Sequence, residues 1–93
     1  MKKVTPLQVG SMFTTKRMEG ASGQPFPRHT ASVESVLVVT EGRCVLKFTD
    51  QDHAVEAGES FIVPSDAWHQ VVADPAFKAV HVMPHEITFE FAE

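Results

Sequence analysis

Hydrophobic and polar residues alternate along most of the chain after residue 33, and this period of two is typical of β-strands that bury one face. In the segment 43–52 the apolar face comprises Cys44, Leu46 and Phe48. A second alternating set near the C-terminus comprises Ile87, Phe89 and Phe91. Both patterns predict strands with a buried side, so Cys44 is expected to be a buried structural thiol.

Turn residues divide the rest of the chain into further strands of similar length. The predicted strand segments are 33–42, 43–52, 53–64 with a turn at Gly58, 68–74, 77–84 and 85–93. No segment has a sustained helical period, and Gly10 with a pair of threonines argues against the best helical candidate, residues 8–19. Several short strands at this spacing predict an all-β fold, a small antiparallel barrel or sandwich.

The length and composition predict one domain over residues 1–93, with a modest core that oligomerisation commonly supplements. The apolar face of the stretch ITFEF, residues 87–91, adds a reason to expect a homodimer. A formal net charge of −4 and the lack of long basic runs argue against binding to nucleic acid or an anionic membrane. The single cysteine and the absence of a long apolar run indicate a cytoplasmic protein.

Two segments, PRHTASVESVLVVTEG (27–42) and GESFIVPSDAWHQVVA (58–73), resemble the two sequence motifs of the cupin superfamily. The resemblance covers roughly residues 25–84 and is most specific in the spacing of Gly58, Pro64 and His69. It implies a small jelly-roll β-barrel with a cavity. Asp66 stands where the family has glycine, and aspartate tolerates a left-handed backbone better than most residues, so the turn can survive.

The resemblance is incomplete at the residues that hold metal in typical cupins. His29 and His69 keep two of the four positions, whereas Ala31 replaces the second histidine and Ser35 replaces the glutamate. Glu34 lies next to the glutamate position, but strand alternation turns it to the other face unless a β-bulge shifts the register. Two ligands alone would bind a divalent ion poorly, because known sites normally use three or four.

His81 is a candidate third ligand. Lys78 is expected to face water, so alternation along 77–84 turns His81 inward. Val80 and Val82 then face outward, which argues against this assignment unless a dimer covers them. Three imidazoles would suit a divalent transition metal, Zn, Ni, Mn, Fe or Cu, with weak or partial occupancy. The alternative interpretation is a set of hydrogen-bonded pocket histidines without metal.

The candidate ligand-binding residues are His29, His69, Trp68 near the barrel rim and Arg28 at its mouth. Three functions remain open from the sequence. The first is a small-molecule-binding cupin with a reduced or absent metal site. The second is an enzyme: a metal-dependent one, such as a dioxygenase or an isomerase-like cupin that uses His29, His69 and His81, or a metal-free one in which His69 acts as an acid/base group. The third is a non-catalytic regulatory or structural module.

Overall fold

Eight β-strands and no helix make up residues 2–93, the part of the chain that the computed structural model describes. The strands are β1 (Lys2–Val9), β2 (Phe13–Gly20), β3 (His29–Ala31), β4 (Ser35–Phe48), β5 (Asp52–Glu56), β6 (Ser60–Val63), β7 (His69–Pro84) and β8 (Phe89–Phe91). The predicted all-β class is confirmed. Over the same residues the structure contains no helix that is long and apolar enough to cross a membrane.

The two longest strands, β4 and β7, organise the sheet. They pair with each other, β4 also pairs with β5 and β6, and β7 also pairs with β2 and β3. The short strand β8 pairs with β3, and β1 pairs with β2. Every pairing is antiparallel, and the sheet curls on itself into the predicted jelly-roll arrangement.

Gly42 forms a corner in the middle of the β4–β7 ladder. The pairing register shifts on both sides of it, between Val39 and Glu41 and again between Gly42 and Cys44. Gly42 has a φ of 71°, and a Cβ atom at this position would overlap the carbonyl oxygen of Ala76. Glycine is therefore required where the two strands turn the corner together.

The strands differ from the sequence prediction in several respects. The C-terminal strand predicted over 85–93 is limited to β8, and Ile87 lies outside it in the segment that follows a turn. The segments predicted as separate strands at 33–42 and 43–52 are one continuous strand, β4, and those at 68–74 and 77–84 are likewise one strand, β7. The N-terminal strands β1 and β2 were not predicted. β1 is exposed along almost its whole length and therefore carries no burial pattern. It is a strand because it pairs with β2, and it has no buried face that the sequence could reveal.

The core lies inside the curled sheet and follows the alternation of β4 and β7. The most deeply buried side chains are Leu37, Val39, Cys44, Leu46 and Ala79. Cys44 is buried as predicted, and burial raises the pKa of its thiol to about 11. Glu34 is exposed, in agreement with the alternation, whereas Ser35 one residue later points inward.

The fold predicts a large difference between two valines. Val39→Ala removes a side chain that is 0% exposed, so it is expected to lower the free energy of unfolding by about 2 kcal/mol. Val9→Ala, at a position 75% exposed on β1, is the matched control and should cost less than about 1 kcal/mol. Urea denaturation at pH 7 measures both, and equal losses would contradict this packing.

Candidate functional site

His29 and His69 are brought together by the turn that precedes β7. Asp66 in this turn has a φ of 58°, the left-handed conformation expected for it, and its N–H donates to the carbonyl of Ala31 at 2.8 Å. The turn is thereby tied to β3, and β7 begins at His69 directly opposite His29. The centroids of the two imidazole rings are 4.4 Å apart.

Both rings are oriented in the same way by the backbone. The Nδ1–H of His29 donates to the carbonyl of Pro27 at 3.0 Å, and that of His69 donates to the carbonyl of Ala67 at 2.8 Å. When Nδ1 carries the proton, the neutral ring presents the lone pair of Nε2 as an acceptor. The pair therefore offers two acceptor nitrogens, and these are available to a ligand.

His81 is held differently. It is 7% exposed, and its Nε2 lies 2.8 Å from the hydroxyl oxygen of Ser35. Its other nitrogen, Nδ1, is buried and has no hydrogen-bond partner within residues 2–93. A buried polar atom without a partner is costly, and it indicates a position that a bound molecule or water can satisfy.

A cavity of about 250 Å³ contains all three histidines in its lining. Its apolar and aromatic lining comprises Val4, Met18, Phe26, Pro27, Leu37, Leu46, Val63, Val71, Phe89 and Phe91. Lys16 is the remaining lining residue, so the polar groups are one ammonium and three imidazoles. No carboxylate of the described residues lines this cavity.

Lys16 was missed by the sequence reasoning, which did not assign a strand to this region. It lies on β2 directly opposite His81 on β7, and its ammonium lies 5.1 Å from the centre of the Phe89 ring. Burial lowers the pKa of Lys16. None of the ion pairs formed among residues 2–93 involves it. The sequence signal for it is the alternation of Lys16 and Met18 with Arg17, a pattern too short to define a strand alone.

Arg28 and Trp68 contact each other and are absent from the cavity lining. The Arg28 guanidinium lies 5.9 Å from the centre of the Trp68 ring. Arg28 is exposed and Trp68 is half-buried, and each directly precedes one of the paired histidines. The structure thus places the predicted rim residues beside the histidine pair rather than in contact with the cavity.

Burial and nearby positive charge keep the inner histidines neutral. Burial is the main cause that lowers the pKa of His69, to which His29 and Arg28 add, while the hydrogen bond to Ala67 opposes the shift. The pKa of His81 is lowered to about 4, again chiefly by burial, with Lys16 as the next contributor. At neutral pH the net charge of the cavity lining therefore comes chiefly from Lys16.

The sequence of this barrel matches the family model described as "Cupin domain" over residues 5–86. The chain is a member of the cupin family. The resemblance of residues 27–42 and 58–73 to the two cupin motifs is confirmed by this match, which covers most of the chain. No curated protein matches the sequence.

Solved structures share the fold at low sequence identity. A cupin superfamily protein from Desulfitobacterium hafniense superposes with a TM-score of 0.82 at 15% identity, covering 90% of this cupin and 77% of that chain. A double-stranded β-helix protein from Klebsiella pneumoniae gives 0.86 at 16%, covering 99% and 84%. Salicylate 1,2-dioxygenase from Pseudoaminobacter salicylatoxidans gives 0.85 at 13%, covering 97% of this cupin but 29% of the enzyme. Such likeness shows a common fold on which different functions occur.

The donor set of the cavity does not fit the divalent metal that the family implies. Within residues 2–93, no three His, Cys, Asp or Glu side chains converge closely enough to hold a metal ion. The glutamate position is Ser35, which is hydrogen-bonded to the third candidate ligand, His81. The ammonium of Lys16 in the same cavity would also repel a divalent cation. The three candidate ligands thus line one cavity without forming a metal site.

The buried His81 predicts a loss of stability in acid. The pKa of His81 is about 4 in the folded protein and about 6.5 in the unfolded chain. Between these pH values the imidazole is protonated in the unfolded chain but neutral in the folded protein, so acid favours unfolding. Stability is therefore complete above pH 6.5 and falls as the pH drops towards 4, by up to about 3 kcal/mol in total from this group.

His81→Gln is expected to flatten this slope, although the variant starts from a lower stability at pH 7. His85→Gln, which replaces an exposed histidine outside the cavity, is the control and should retain the slope. Urea denaturation at several pH values between 4 and 7.5 provides the measurement. An unchanged slope in His81→Gln would show that other groups cause the acid sensitivity.

Proposed function

We propose that this cupin binds a small, largely apolar molecule inside its barrel and does so without a divalent ion. The observation that carries the proposal is the cavity itself, in which apolar walls surround a few convergent polar groups. This combination is the general form of a small-molecule site. The donors that a metal-dependent dioxygenase or isomerase-like cupin would need do not converge here, which favours binding over metal-dependent catalysis.

The volume of the cavity limits the size of the ligand. An apolar cavity of about 150 Å³ accommodates benzene. A cavity of about 250 Å³ therefore suits a single ring, or a short chain, with one or two polar substituents. Phe89 and Phe91 from β8 form part of the wall, and Phe91 is largely exposed, so the ligand has a route of entry at this end.

The paired histidines supply directional contacts. Their Nε2 lone pairs would accept hydrogen bonds from a hydroxyl or N–H group of the ligand. The two Nδ1–H groups would continue to donate hydrogen bonds to the carbonyls of Pro27 and Ala67. Because these carbonyls fix the ring orientations before the ligand arrives, little ordering remains to be done on binding. This arrangement favours recognition of a particular polar group over general hydrophobic capture.

Neighbouring valines on β7 provide a matched test. Val71 lines the cavity, whereas Val72 lies on the opposite face of the strand. Single-ring fragments at millimolar concentration should shift the amide resonances of His69, Val71 and His81 in the wild type. Val71→Met, and Val71→Phe if it folds, should weaken this binding at least about fivefold by filling the cavity, whereas Val72→Met should not. Equal binding by both methionine variants would place the fragments elsewhere.

Metal titrations form the second arm of the same experiment. Zn, Ni, Mn and Fe ions should each change the melting temperature of the wild type by less than about 2 °C, and EDTA should leave fragment binding unchanged. A shift of about 10 °C or more, lost in His29→Ala, His69→Ala and His81→Ala alike, would instead support a three-histidine metal site and the enzyme alternative.

We also propose that the protein is a homodimer in the cytoplasm. The free thiol of Cys44 fits a reducing compartment. On the outer face of the sheet, a groove of about 480 Å³ carries the apolar residues Phe13, Val33, Val36, Ile62, Val82 and Pro84. A second copy packed on this face would cover Val82, which alternation turns outward, and Ile62, which is 54% exposed.

Sedimentation equilibrium tests the dimer. The wild type should sediment as a dimer at micromolar concentration, and Ile62→Lys should sediment as a monomer because it places a charge in the interface. Val9→Lys, at an exposed apolar position outside the groove, is the control and should remain dimeric. A monomeric wild type would remove the proposal, and a dimeric Ile62→Lys would move the interface to another surface.

A further inference from the structure

The chemistry of the cavity wall suggests which class of molecule it accepts. We infer that the ligand is a small organic monoanion, an apolar ring or short chain carrying one carboxylate, and that Lys16 binds this carboxylate. The inference rests on the proposed binding function and adds the ligand class and the residue that selects it.

The first observation is an ammonium without a counter-ion. Lys16 is half-buried and lines an apolar cavity, and no ion pair within residues 2–93 includes it. The four ion pairs of lysine or arginine with a carboxylate within residues 2–93 are on the surface, where water already screens them. A charge held in surroundings of low polarity interacts far more strongly with an opposite charge than one in water.

The second observation is the unpartnered nitrogen of His81. Lys16 and His81 are direct partners across the β2–β7 ladder, so their side chains leave the sheet on the same side. The side chain of His81 is more than nine-tenths buried, and its Nδ1 has no partner among the described residues. A carboxylate has two oxygens, so one can engage the ammonium while the other accepts from Nδ1 when this nitrogen carries the proton.

The balance of charge limits the anion to a single negative charge. The pKa of His81 is about 4 and that of His69 is lowered, so both rings are neutral at pH 7. Lys16 then supplies one positive charge, and the single negative charge of one carboxylate neutralises it. A dianion such as a phosphate monoester would bring an unmatched charge into an apolar cavity, at a high cost in desolvation.

The acceptor nitrogens of His29 and His69 complete the recognition. They would repel a second carboxylate but would accept from a hydroxyl or N–H on the same ligand. The lining therefore distinguishes two kinds of group on the ligand: the carboxylate binds at Lys16, and any hydrogen-bond donor binds at the histidine pair.

Matched acids and amides test the inference, because they have almost the same shape and differ in charge. The probes are benzoate with benzamide, phenylacetate with phenylacetamide and hexanoate with hexanamide, titrated into the full chain at pH 7 and followed by NMR. The wild type should bind the acid at least about tenfold more tightly than the amide in at least one pair, since charge-assisted hydrogen bonds are the stronger ones.

Substitutions of Lys16 assign the preference to this residue. Lys16→Met should reduce the ratio between acid and amide to threefold or less, and Lys16→Arg should preserve it. Lys3→Met, at an exposed lysine on β1 that does not line the cavity, is the control and should behave as the wild type.

The outcomes separate the two proposals. If the amides bind as well as the acids, or if Lys16→Met keeps the preference, the ligand class is wrong while the binding function stands. If none of the six probes perturbs the cavity resonances, both the ligand class and the proposed function fail.

Discussion

The pairing of β4 with β7 is the interaction on which the rest of this molecule depends. The two strands run beside each other from Val36 and Val82 through the corner at Gly42 to Phe48 and His69. Because both bend at the same place, the two ends of β7 return to one cavity, and this is how His69 and His81 come to share a wall. A side chain at Gly42 would separate the strands at the corner and disturb the relation between these histidines.

The three histidines of the cavity show how local partners decide what an imidazole can do. Backbone carbonyls orient His29 and His69 so that each presents an acceptor nitrogen. A serine hydroxyl engages Nε2 of His81 and leaves Nδ1 unpaired. The same residue type therefore contributes accepting nitrogens at the His29–His69 pair and an unsatisfied polar atom at His81, across the ladder from Lys16.

Alternation and motif spacing were sufficient to predict the inward face of β4 and β7 from the sequence. They gave the buried position of Cys44, the outward position of Glu34 and the left-handed turn at Asp66. They were not sufficient for β1, which is almost fully exposed and carries no burial pattern, or for β2, in which the alternation of buried and exposed residues is too short to define a strand. Lys16 was missed for this reason, because a lysine is expected to face water until a neighbouring strand places it in a cavity.

The inward alternation of β3 and β4 has a consequence for protein engineering. Ala31 and Ser35 already point into the barrel and are almost completely buried, at the positions where the family motif carries a histidine and a glutamate. A designer who introduced Ala31→His and Ser35→Glu, and removed the charge of Lys16, would place the two missing donor types at these buried positions. The barrel is thus a scaffold on which a metal centre could be designed by substituting side chains on the present backbone.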